Sequence, residues 1–248
     1  MIRGIYSSAS GMLAETVRTD TIANNLANVN TAGYKKDVTV TKDFNSMLIH
    51  RINDGGGAPV VGSLGLGTIV DEIAPNYLGG ALRQTGNKLD AAIVGDGFFT
   101  IDTPGGERYT RNGTFSLNAR SELVTQDGNR VMGTNGPILI PGIVERLEID
   151  QAGRIMADGV EAGQFRLVQF DNLRQLRKEG SSLYQANGAQ TQPFTGQVEQ
   201  GYLEMSNANV VSEMVNLIAA YRAYEVNSKT VQAHDQLLDK AVNEVGRV

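Results

Sequence analysis

The sequence predicts an α+β fold: N- and C-terminal helices paired as a coiled coil, with a central antiparallel β domain. Two apolar strips and one run of turn dipeptides carry that expectation. Near both ends apolar residues recur in steps of three and four, the spacing of one helix face. Between them, Asn-Gly and Asp-Gly pairs punctuate short apolar runs, the mark of tight hairpins.

Residues 1–34 read as one helix and its exit. Ile5, Ala9, Met12, Thr16, Thr19, Ala23 and Leu26 form a weak heptad seam, with two threonines in it. Gly33 suits a left-handed C-terminal cap. Four asparagines, Asn24, Asn25, Asn28 and Asn30, crowd the end of this helix. Asparagine is a poor helix former because its amide competes for backbone hydrogen bonds. The crowding reads either as a frayed polar end or as a row of amides that bond to neighbouring molecules.

Residues 35–80 form a linking region with mixed character. Asp37 to Ile49 is ambiguous between strand and helix, Asp54 to Pro59 is a turn or loop, and Gly62 to Gly67 continues that loose character. Residues 81–200 read as the β domain. Its runs, such as Phe98-Phe99-Thr100-Ile101, alternate with Asp96-Gly97, Asn112-Gly113, Asp127-Gly128, Asn135-Gly136, Asp158-Gly159 and Asn187-Gly188. Such close spacing predicts a sheet folded on itself as a barrel or sandwich.

Residues 201–248 return to helix, from about 207 to 246. Val210, Met214, Leu217, Tyr221, Tyr224, Ser228, Val231, Asp235, Leu238, Val242 and Val245 step by four and three. Asn207 or Asn209 suits the N-cap and Gly246 the C-terminal cap. Glu225 stands four residues before Lys229, the favourable order for a helical ion pair. The β domain cannot cover two such seams along their length. The economical solution pairs the ends with each other and leaves the remaining seam to other molecules.

Composition narrows the chemistry. The chain has 248 residues, 41% hydrophobic and 20% charged, with a formal net charge of -5. An acidic balance argues against nucleic-acid binding. There are no cysteines, so disulfides, thiolate metal sites and cysteine nucleophiles are excluded. The first residues carry no apolar run of the kind that a cleaved signal peptide needs, and no stretch reaches the length of a membrane span. His50 and His234 are the whole imidazole supply and read as solvated surface residues. No phosphate loop or nucleophile elbow is present, and Asp150 and Asp158 sit beside turn residues as turn formers. No catalytic set, cofactor, metal site or small-molecule substrate is expected. Asn112-Gly113-Thr114 fits a glycosylation sequon, and a hairpin explains it as well.

Several motifs together resemble the flagellar rod and hook protein family. The first is Asn24-Asn25-Leu26-Ala27-Asn28-Val29-Asn30-Thr31-Ala32-Gly33-Tyr34-Lys35. The second is the central block Thr85 to Phe99 with Tyr109-Thr110-Arg111-Asn112-Gly113-Thr114-Phe115. The third joins Ser206 to Val210, Glu213-Met214-Val215 and Arg222 to Lys229. Asn118, Ser121 and Tyr221 depart from the family pattern. The resemblance implies a structural subunit of the basal-body rod, not an enzyme. Both termini would form an inner domain around an axial tube, with the β domain outward. Its partners would be copies of itself and other rod proteins, with the type III export apparatus during assembly. It would lie in the periplasmic space, exported without a cleaved signal, and transmit motor torque. The brevity of residues 50–80 favours the proximal rod type, with the distal type second. The expected subunit-interface residues are Ile5, Met12, Asn24, Asn25, Leu26, Asn28, Val210, Met214, Leu217, Tyr221, Arg222, Tyr224, Glu225, Lys229, Val231 and Leu238. Two other classes compete: a cell-wall carbohydrate-binding or -cleaving module, disfavoured for want of a carboxylate pair, and a free coiled-coil oligomer.

Overall fold

The computed structural model describes residues 2–44, 46–50, 60–141, 144, 146–180 and 182–245. The chain divides into two compact units. One joins Met1–Leu26, Asp37–Ala74 and Val210–Val248; the other joins Ala27–Lys36 and Pro75–Asn209. The expected turn at Asp54 to Pro59 and the cap at Gly246 lie outside the described residues.

The first unit holds α1 (Ile2–Ala27), β1 (Asp37–Asp43), β2 (Ser46–His50), β3 (Val60–Gly65), β4 (Thr68–Pro75) and α2 (Val210–Lys240), with a wider final turn at Ala241–Val245. β1 pairs with β4 and β2 with β3, so the ambiguous Asp37 to Ile49 is strand. Gly62 to Gly65 is strand as well, contrary to the expected loop, because backbone ladders and not side chains hold a two-stranded ribbon. Asn209 stands directly before α2, where an N-cap falls. α1 ends at Ala27, earlier than Gly33, whose φ of +68° serves a later turn.

The second unit holds β5 (Leu82–Gln84), β6 (Ala91–Val94), β7 (Phe98–Thr103), β8 (Gly106–Thr110), β9 (Phe115–Leu117), β10 (Leu123–Thr125), β11 (Arg130–Gly133), β12 (Gly136–Pro137), β13 (Leu147–Ile149), β14 (Arg154–Ala157), β15 (Val160–Gln164), β16 (Leu167–Phe170), β17 (Leu176–Glu179), β18 (Leu183–Ala186), β19 (Thr191–Pro193), β20 (Gln197–Gln200) and β21 (Tyr202–Glu204). The main antiparallel sheet runs β17-β18-β8-β7-β11-β10-β9, with β16 also on β7, β19 on β16 and β12 on β11. β13-β14-β15 form a separate sheet, while β20 pairs with β6 and β21 with β5.

The core follows from the two-residue period of a strand. On β7 successive side chains leave on opposite faces. Phe99 and Ile101 join a cluster with Phe115, Val131, Ile155 and Phe165, to which the three-stranded sheet adds Leu147 and Ala157. Phe98 goes the other way, to Tyr109, Val168, Phe170, Leu176 and Tyr184. Both clusters are built on edge-to-face aromatic pairs, with Phe99–Phe115 at 5.0 Å and Phe98–Tyr184 at 5.6 Å between ring centres.

Three of the six turn dipeptides close hairpins: Asp127-Gly128 and Asp158-Gly159 lie between strands that pair with each other, and Asn135-Gly136 leads from the β11 turn into its partner β12, whose first residue is Gly136. Asp158 and Gly159 have φ of 49° and 84°, the left-handed pair that a two-residue turn needs. The other three do not. Asp96-Gly97, Asn112-Gly113 and Asn187-Gly188 each join strands with different partners, because a turn sequence fixes a local bend and not which strand is paired after it. Gly113 marks a close approach instead: its carbonyl accepts the Ala91 amide at 3.1 Å, where a side chain would overlap Ala91. Asp150 and Asp158 are turn formers as expected. Asp150 accepts the amides of Ala152 at 3.0 Å and Arg154 at 2.8 Å, and Asp158 accepts that of Arg146 at 2.8 Å.

Candidate assembly interface

Within the helical unit, α1 and α2 run antiparallel where they touch. Gly4 lies against the His234 ring. A Cβ on Gly11 would stand 2.9 Å from Asn227 Nδ2. The two contacts are seven residues apart on both helices, which is two turns, so they fall on one face of each. The inward stripe of α1 is small and polar: Ser8, Gly11, Ala14, Thr21, Ile22 and Asn25. That of α2 is Glu213, Leu217, Ala220, Asn227, Val231, His234 and Leu238.

These stripes differ from the expected seams by a rotation of the helix. Ile5, Met12, Leu26, Leu217, Val231 and Leu238 are half-buried, whereas Val210, Met214, Tyr221 and Tyr224 are exposed. Small residues face inward because the helices approach where α1 has glycines. Larger apolar side chains would hold them apart. His234 corrects the expectation of a solvated histidine: it is half-buried against Gly4, and its Nδ1 has no hydrogen-bond partner among the described residues.

The opposite face of α2 is the outward one. Val211, Val215, Ile218, Arg222, Glu225 and Lys229 follow one another in steps of four and three. That stripe is apolar in its first half and charged in its second. Met214 and Tyr221 flank the apolar half, and these five apolar side chains are 49–70% exposed. The Lys229 ammonium donates to Glu225 at 2.6 Å, and that hydrogen bond, with the ammonium's charge, holds the Glu225 carboxyl below its ordinary value.

The asparagines divide. Asn25 is buried, and its amide is used within the chain. Nδ2 donates to the Asp37 carbonyl and Oδ1 accepts the Asp37 amide, both at 2.8 Å. This corrects the expectation that Asn25 bonds to a neighbouring molecule: a carboxamide matches the donor and acceptor of one strand residue, and β1 starts there. Asn28 accepts the Thr31 hydroxyl at 3.3 Å. Asn24 is exposed.

In the β unit, the chain after the first helix meets the chain before the second around a buried carboxylate that the sequence did not single out. Glu204 accepts the Lys35 ammonium at 2.6 Å, the Gly80 amide at 2.8 Å and the Arg111 guanidinium at 3.4 Å. The side chains of Lys35, Glu204 and Arg111 are 1%, 3% and 6% exposed. Burial pushes the Lys35 ammonium below the usual lysine value, and Glu204 works against that push. Gly33 donates its amide to the Glu204 carbonyl at 2.7 Å. Asn207 accepts the Lys36 amide at 2.8 Å and donates to the carbonyls of Asn76 and Leu78. Lys178 sits 4.0 Å from the centre of the Tyr34 ring. The Gly33-Tyr34-Lys35 and Ser206-Asn207 motifs are thus an intramolecular clasp. Only the burial of a lysine within a motif could have pointed to it, and burial is not visible in sequence.

The described residues contain no cluster of side chains suited to a metal ion, and no described helix is long and apolar enough to cross a membrane.

Family models match three parts of the chain. The model described as flagella basal body rod protein matches residues 5–35, that of the flagellar hook protein FlgE/F/G D1 domain matches 92–157, and that of the flagellar basal body rod FlgEFG protein C-terminal region matches 199–244. The chain is 38% identical to the flagellar basal-body rod protein FlgG of Bacillus subtilis, over 98% of this chain and 99% of the relative. It is 32% identical to the flagellar hook-basal body complex protein FlhO of the same organism, and 32% identical to the flagellar basal-body rod protein FlgF of Caulobacter vibrioides, over the whole of both chains in each case. The chain therefore belongs to the flagellar basal-body rod proteins, and it is a structural subunit of the rod and not an enzyme.

Proposed function

We propose that this subunit assembles through its helical unit. α1 and α2 pair as an antiparallel coiled coil, and the outward stripe of α2 is covered by neighbouring subunits. The observation that carries the reading is that stripe: five large apolar side chains, 49–70% exposed, on one helix face. Exposed apolar surface of that kind marks an interaction site. Covering the part of each side chain that is still exposed contributes about 0.7–2 kcal/mol. Arg222, Glu225 and Lys229 continue the same stripe and set register, since exposed ion pairs add little energy. Repeated heterologous contacts of this type give a helical array, here a hollow rod that carries torque.

The family likeness supports the finer features of the reading. The partners are other rod proteins and further copies of this chain. The subunit leaves the cell by the type III export apparatus, without a cleaved signal, and is incorporated in the periplasmic space. The brief stretch at residues 50–80 supports the proximal section of the rod over the distal. Site-specific crosslinking from position 218 in cells tests this placement: adducts with proximal rod components support it, and adducts confined to distal rod or hook components reject it.

The test of assembly is Ile218→Asp, beside Tyr221→Asp. Both positions are exposed, so the isolated chain should keep its circular dichroism and melting temperature while motility and rod incorporation are lost. Normal rods in both variants would reject the reading.

A further inference from the structure

We propose that the outward stripe of α2 docks on the outer face of the β1–β4 ribbon of a second copy of this chain. The inference rests on the assembly reading above and names the surface that receives the stripe.

The ribbon has two unlike faces. Along the start of β1 burial alternates: Asp37 and Thr39 are half-buried, Val38 and Val40 exposed. That is the two-residue period of a strand laid against a helix. The Asp37 backbone meets Asn25 of α1, and the Thr39 hydroxyl donates to that of Thr21 at 3.1 Å. Thr39 therefore turns toward α1, and Val38, Val40 and Lys42 turn away from it. Lys42 forms an ion pair with Asp71 of β4, which brings Asp71 to the outer face. Ile73, two residues on, shares that face. Phe44 extends the row, since its amide continues the ladder onto the Gly67 carbonyl at 2.9 Å. Val38, Val40, Phe44 and Ile73 are 40–51% exposed, although α1 covers the other side of the ribbon.

Three features select α2 of another copy as the occupant. An apolar sheet face and an apolar helix stripe are the two halves of a helix-on-sheet layer, the arrangement in which both bury their side chains. The charges match as well. Asp43, Asp71 and Glu72 outnumber Lys42 on the ribbon, whereas Arg222 and Lys229 outnumber Glu225 on the helix stripe, and all of these residues are exposed. Finally, two different surfaces on one chain make a heterologous contact, which repeats as an open array. The α2 stripe against another α2 stripe would be isologous and would close as a dimer. The patch is small, since four half-exposed side chains fall short of the ~800 Å² per partner that a stable complex buries. One such contact does not hold two chains together in dilute solution, and the rod, where every copy gives one and receives one, keeps it closed.

The chain has no cysteine of its own, so crosslinking reads the contact directly. Chains bearing Val40→Cys and chains bearing Ile218→Cys are produced together in cells and treated with a short bismaleimide. The expected result is a covalent dimer of the two variants in assembled rods, absent when either variant is produced alone. Val40→Asp should lower incorporation into rods about tenfold, because it places a carboxylate in an apolar contact. The circular dichroism of the isolated Val40→Asp chain should match that of the parent. The proposal is overturned if assembled rods lack the 40–218 dimer, whatever else position 218 meets: a Leu13→Cys chain, a second Ile218→Cys chain or another rod protein. Those three outcomes leave the assembly reading standing, because position 218 is still covered. Normal incorporation of Val40→Asp beside loss of Ile218→Asp overturns the proposal in the same way, whereas normal rods from Ile218→Asp and Tyr221→Asp reject the assembly reading itself.

Discussion

Replacing Glu204 by Gln isolates the role of the clasp. The substitution keeps shape and one acceptor oxygen, so Gly80 and Lys35 can still donate to it. It removes the carboxylate that meets both Lys35 at 2.6 Å and Arg111 at 3.4 Å. Two cations, 1% and 6% exposed, then remain without that anion. Breaking a buried pair by removing one partner costs about 3–5 kcal/mol, because the surviving charge stays desolvated. For a chain of this size each kcal/mol is worth about 2–4 °C, so the melting temperature of the β unit should fall by roughly 6–20 °C. Near-ultraviolet circular dichroism follows that transition well, since Tyr34, Tyr77, Tyr109, Tyr184 and Tyr202 all lie in this unit. Lys35→Met should cost less, because Arg111 still balances Glu204. The pH dependence separates the two variants. Lys35 binds its proton less tightly folded than unfolded, where the ordinary value is 10.5. In the alkaline window just below that value the unfolded chain holds more protons, so this group makes stability rise with pH. Lys35→Met should lose that slope. A Glu204→Gln chain melting within about 2 °C of the parent, a change below 1 kcal/mol, would refute the argument that the carboxylate is needed to bury the two cations.

Four further outcomes are expected. Gly33→Ala should destabilise the β unit by about 1–2 kcal/mol or more, since φ of +68° penalises a side chain and the new Cβ would meet the Asn112 backbone; urea midpoints measure it. Ser121→Gly should stabilise the chain by roughly 0.5–1 kcal/mol in the same assay, because Ser121 holds φ of 60° while Asn118 already closes the turn onto the Arg120 and Glu122 amides. Asn25→Ala should speed proteolysis within residues 37–43, since two hydrogen bonds to Asp37 are lost. By NMR titration, Glu225 should lose its proton below 4.5, and Lys229→Met should return it toward that value. Any helix stabilisation from this pair is thus present above 4.5 and fades as pH falls through the lower folded value.

Outside residues 35–80, element type was legible and partnership was not. The glycine-bearing turns foretold the antiparallel middle. Where the two strands on either side paired with each other, as across Asp158-Gly159, the local chemistry was the whole story. Asn112-Gly113 looked the same in sequence, but its neighbours β8 and β9 pair elsewhere, with β7 and β10. In α2, hydrophobic periodicity found a helix and misjudged which face turns inward. Leu217 belongs to both phases, while Ala220, Asn227 and His234 are packed for fit against α1 and carry little hydrophobic signal. Glu204 was unreadable because its partner Lys35 lies 169 positions away, and nothing local in Tyr202-Leu203-Glu204 distinguishes it from a solvent-facing glutamate.

The separation of Lys35 from Glu204 also bears on the order in which the molecule can be completed. A loop of 169 residues must close before either charge has its counterpart, and long closures of this kind come late in folding. Nearly the whole β unit has therefore to be synthesised before the lysine near its start gains its anion. Shortened chains that stop ahead of position 204 would carry a cation that water must keep, and so would stay open to proteases. The arrangement works as a check on completeness, because only a chain read through to its second motif can shut.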